Sequence, residues 1–119
     1  MKTKKNTEPN IDFGKLDTNP EHLLNDKEKM NAVIEKVREE LTRKFPGVLV
    51  RFDSEQNVVQ TYTNGAKLED YNLGEKFVRG ALKKIGIWLK HTGAGYASDL
   101  EVSVPGEVEA GDIYEIEKL

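Results

Sequence analysis

The fold predicted for this 119-residue chain is a single α+β domain, an antiparallel sheet of about four strands with two helices packed on one face, in the order α-β-β-α-β-β. Three patterns predict it. Two segments, 27–45 and 73–90, place apolar residues at helical spacing. Between them lie two short runs rich in β-branched residues. After them come two further runs that alternate apolar with polar residues.

Residues 1–19 are rich in Lys, Asn and Thr and poor in apolar groups. They bury too little surface to offset the entropy of ordering, so a flexible tail is expected ahead of a domain at 20–119. Ile11, Phe13 and Leu16 are the exceptions, suited to docking onto the body or onto a partner. Asn19-Pro20-Glu21 caps a short turn ending near Leu24. Asn25 then reads as the N-cap of the first long helix, with Glu28 placed to reach back as in a capping box. Met30, Val33, Ile34, Val37, Leu41 and Phe45 mark its buried face. Glu39 with Arg43, and Glu40 with Lys44, pair along the wet side. Pro46-Gly47 stops the helix.

Val48, Val50 and Phe52 alternate along a first strand. A polar turn at 53–57 leads to the β-branched run 58–63, which closes a hairpin. Asn64-Gly65 offers a type I′ turn. Residues 66–71 stay open between a third strand, a loop and a helical turn. Asn72 reads as the N-cap of a second helix running to Lys90, with Glu75 at N3. On that helix Phe77, Val78, Ala81, Leu82, Ile85, Trp88 and Leu89 share one arc, so the single Trp is expected inside. Gly80 and Gly86 each weaken the helix by about 1 kcal/mol. A rival reading ends it near Lys84 and makes 85–89 a strand, but the continuous arc favours one helix. Gly93-Ala94-Gly95 supplies its stop. Leu100, Val102 and Val104 alternate as a strand, 105–111 is a loop, and Ile113, Tyr114 and Ile116 form the last strand. The sheet face away from the helices is expected to be polar, with Thr, Gln and Glu.

Composition bounds the chemistry. There is no Cys, which excludes disulfides, thiol catalysis and Cys-bearing zinc sites, and fits a cytoplasmic address. No apolar run reaches the ~18 residues a membrane span needs, and none follows Lys2, Lys4 and Lys5, so no membrane or export role is expected. Net charge is −3, yet the charge is segregated. Residues 73–93 carry Lys76, Arg79, Lys83, Lys84 and Lys90 against Glu75 alone. Residues 99–119 carry seven acids against Lys118 alone. Blocks of this kind attract one another within a fold or between copies.

No catalytic constellation stands out. His22 and His91 sit at expected helix ends, where His91 would complement the helix dipole. Ser54, Ser98 and Ser103 lack the setting of an activated nucleophile. Residues 91–96 are Gly-rich but follow a helix, whereas a phosphate loop leads into one. Glu107 with Glu109, and Glu115 with Glu117, have the spacing of a solvated strand face. No metal, cofactor or catalytic site is expected, and the chain reads as a non-enzyme. The site with most weight is the basic face of the second helix: Lys76, Arg79, Lys83 and Lys90, with Ile87 as an exposed apolar residue among them. The function expected is a non-enzymatic protein-binding accessory or regulatory module of bacterial or phage character, acting on a protein partner or as a homodimer. The alternative is a nucleic-acid binder using the same face.

Overall fold

The computed structural model describes residues 11–63, 66–95 and 111–117. Among these described residues three helices and four strands follow in order: α1 (Pro20–Asn25), α2 (Lys27–Lys44), β1 (Val48–Asp53), β2 (Val58–Thr63), α3 (Leu68–Lys84), β3 (Trp88–Gly95) and β4 (Gly111–Glu117). All pairings are antiparallel and the sheet order is β1-β2-β4-β3. This is the expected α+β architecture, with the short α1 placed before the first long helix.

Residues paired across antiparallel strands share a face. Val50 lies opposite Thr61, Phe52 opposite Val59, Val59 opposite Tyr114, and Leu89 opposite Ile116. Val50, Phe52, Val59 and Ile116 pack with Val33, Ile34 and Val37 of α2 and Phe77, Val78 and Leu82 of α3 in one buried cluster. Burying each of these side chains contributes about 1.5–3 kcal/mol. The opposite face carries Arg51, Gln60, Lys90 and Glu115, as its polar sequence predicts, although Gln60 and Tyr62 there are buried. Arg51 Nη1 donates to Gln60 Oε1 at 2.8 Å.

Local chemistry sets the helix ends. Asn19 caps α1, its side chain accepting from the Glu21 amide at 2.9 Å. The cap of α2 is Asp26, not Asn25: its carboxylate accepts from the Glu28 and Lys29 amides at 3.0 and 3.3 Å. Asn25 is already the last residue of α1, and its Nδ2 donates to Glu21 O. Within 66–71, Ala66 and Lys67 are loop and the helix begins at Leu68, four residues before Asn72. Its cap, Lys67, offers no side-chain hydrogen bond, and only the acids Glu69 and Asp70 in the first turn mark this start.

The expected helix through Lys90 is corrected by the structure. α3 ends at Lys84 because Gly86 adopts φ +86° and closes a Schellman turn. The Gly86 amide donates to Lys83 O at 3.0 Å and the Ile87 amide to Leu82 O at 2.8 Å. The rival reading therefore has the helix end right, but Ile85 and Gly86 form the turn and the strand, β3, starts only at Trp88 and runs on to Gly95. Trp88 is 42% exposed rather than buried, and Ile87 is 1% exposed rather than a surface residue. His91 and Gly93 to Gly95 lie in β3, not at a helix end.

Of the expected tail, residues 1–10 lie outside the described residues, and part of 11–19 docks on the body. Ile11 and Phe13 pack against the core. The Leu16 amide donates to Phe13 O at 3.0 Å. The turn expected at Asn64-Gly65 and the strand expected at Leu100 to Val104 lie outside the described residues. Among the described residues no helix is long and apolar enough to cross a membrane.

Candidate functional site

The exposed side of α3 and the edge strand β3 enclose a shallow groove of about 260 Å³, lined by Lys76, Arg79, Lys83, Ile87, Trp88 and Leu89. Its geometry follows from the Schellman turn. Three cations spaced at i, i+3 and i+7 come from the wet face of α3, and the sharp turn at Gly86 brings β3 back beside them. Ile87 belongs to the buried cluster and forms the floor. Trp88 stands at the strand start with Lys83 Nζ 4.7 Å from its ring centroid, a contact worth about 0.5–1 kcal/mol at an exposed site.

Four of the five residues expected to form a contact face are therefore at the surface, but they are not one helical face. Lys76, Arg79 and Lys83 share the groove. Lys90 is exposed on β3 opposite Glu115, on the sheet face away from α3. Ile87 contributes from below rather than as an exposed contact. Among the described residues, Lys76 and Lys83 have no acidic partner. Arg79 is held by Glu75, Nη1 to Oε2 3.2 Å, and its guanidinium lies 5.7 Å from the Tyr114 ring centroid.

Behind the groove a polar network joins α3 to the sheet. Glu75 accepts from Tyr114 Oη as well as from Arg79. Asp112 accepts from Tyr71 Oη and lies 2.8 Å from His91 Nε2. A carboxylate only accepts, so the His91 proton sits on Nε2. With the Tyr71 proton given to Asp112, Thr61 Oγ1 donates to Tyr71 Oη at 2.9 Å. Burial raises both phenols well above their ordinary pKa, and their carboxylate partners raise them further: Asp112 for Tyr71, Glu75 for Tyr114. Both therefore stay protonated as donors. The His91 ring meets the Tyr114 ring edge-on at 5.4 Å, beside a β-bulge between His91 and Gly93.

Sequence reasoning missed Trp88, Leu89 and this network. The signal for the first two was present. Gly86 follows Lys83 and Lys84 after one residue, Ile85, the pattern of a basic last helical turn closed by glycine. The network joins residues 61, 71, 75, 91, 112 and 114, and no local spacing carries it. Chemically, each carboxylate in it is already occupied by two donors. Among the described residues no group of three His, Asp or Glu suits a metal ion. What the groove offers instead is cationic charge beside an aromatic ring and an apolar floor. Compared with protein-family models, with curated proteins and with solved structures, the chain has no match.

Proposed function

We propose that this chain is a non-enzymatic binding module whose α3–β3 groove receives an acidic segment of a protein partner. The observation carrying this reading is the meeting of Lys76 and Lys83, both without acidic partners among the described residues, with the 42% exposed Trp88. Exposed aromatic rings edged by cations are enriched where interfaces concentrate their binding energy. The exposed Trp also favours a second reading, stacking of a single-stranded nucleic acid. Two features count against it. The groove is short, and the chain as a whole is negative at −3.

Binding of a glutamate-rich peptide, followed by titration calorimetry, tests the reading. Trp88→Ala is expected to weaken it about tenfold. Lys76→Glu with Lys83→Glu is expected to slow association and flatten its salt dependence. Stability should change by no more than about 1 kcal/mol, because these side chains are exposed. Equal affinity in all variants overturns the proposal, and preferential retention of an oligonucleotide transfers the site to the second reading. Light scattering of the unliganded chain checks whether the acidic partner is a second copy.

A further inference from the structure

Building on that binding reading, we infer that the acidic segment docks as an added β-strand along the outer edge of β3, over Trp88 to His91. The sheet order makes β3 an edge, and among the described residues it pairs with β4 alone. Its backbone donors and acceptors on the outer side therefore form a template for one more strand. The hollow beside the other edge strand, β1, is lined by Lys27, Glu28, Asn31, Phe52 and Ser54, so its one cation stands next to an acid and its aromatic ring is buried.

The side chains fit an occupant of this shape. A strand added about 4.8 Å beyond β3 continues the alternation of the sheet. Residues of the guest on the helix side stand next to Leu89 and His91, beneath the cations of α3. Residues on the other side stand next to Trp88 and Lys90. Acidic groups thus meet Lys76, Arg79 and Lys83 on one face and Lys90 on the other, with an apolar residue against Leu89 or Trp88. The bulge between His91 and Gly93 breaks the regular ladder there and limits the docking segment to its first half. The guest is therefore a short extended acidic peptide with an apolar residue near its centre.

The test uses the intact chain and a short blocked peptide of glutamates around one central phenylalanine, which places acids on both faces of the added strand. Two isomers carry N-methyl groups on alternate backbone nitrogens, one isomer for each edge of the guest strand. Strand addition predicts that one isomer binds about tenfold more weakly while the other keeps its affinity within about twofold. It also predicts slowed amide exchange on β3 in the complex. If both isomers bind like the parent, strand addition is overturned while the groove reading stands. If the parent peptide fails to bind, or binds unaffected by Lys76→Glu with Lys83→Glu, the groove reading falls and this inference with it. Binding of an oligothymidylate instead of the peptide overturns both in favour of nucleic acid.

Discussion

Asp17 shows how much one side chain can organise near a chain end. Its carboxylate accepts from the Asn19 amide at 2.9 Å, from Lys29 Nζ at 3.0 Å and from His22 Nδ1 at 2.7 Å. The Asn19 amide, then Lys29 and His22, hold its pKa well below the ordinary carboxylate value of 3.8. The same pairing raises Lys29. Because the folded pKa is depressed, the stabilisation is fully present above the unfolded value and is lost as pH falls through the folded one. The stability difference between the native chain and Asp17→Asn should therefore be constant from neutral pH down to about 4 and shrink below it. Denaturant unfolding at several pH values checks this, and a difference that grows on acidification contradicts it. The sequence concealed this clasp, since 17, 22 and 29 belong to three separate pieces of the chain.

At the scale of elements, the turn between α3 and β3 decides the site. Gly86 needs φ +86°, and a Cβ there would stand 2.7 Å from Pro20 Cγ. Gly14 has a similar φ of +60° but nothing within 4 Å of the position a Cβ would take. Gly14→Ala should cost about 1 kcal/mol for the backbone alone. Gly86→Ala should cost about 2–4 kcal/mol, because Pro20 must also shift. Thermal unfolding of both variants measures the difference, and equal costs would mean that the close approach to Pro20 does not matter. A related close approach fixes α3 on the sheet, where a Cβ on Gly74 would come within 2.8 Å of Val48 Cγ1. The α2 and β1 elements were legible because each keeps one periodicity from end to end, and β2 because its run of β-branched residues is bounded by turns. Residues 73–90 were not, because two periodicities share the same apolar residues. In the extended chain Ile87 and Leu89 point inward while Trp88 and Lys90 point outward, yet Trp88 and Leu89 also continue the helical arc of Phe77 to Leu82.

Across the whole molecule, the order α-β-β-α-β-β could be read from the chain because apolar spacing reports burial directly. The groove escaped that reading, since it depends on where a helix stops, which Gly86 signals and apolar spacing does not. The net charge of −3 conceals a local excess of cations on α3, so association with an acidic partner should slow with added salt even though the chain itself is acidic. The contact of Pro20 with Gly86 has one more result. Pro20 occupies the space that a side chain on Gly86 would need, two residues from the indole. Whatever grips the start of α1 thereby wedges the turn that presents Trp88. This is the only tryptophan, so its emission is a built-in gauge of the far end of the chain. Asp17→Asn, which weakens the clasp at neutral pH, should therefore shift that emission while the chain stays folded, and unchanged emission would show that the clasp does not reach the turn.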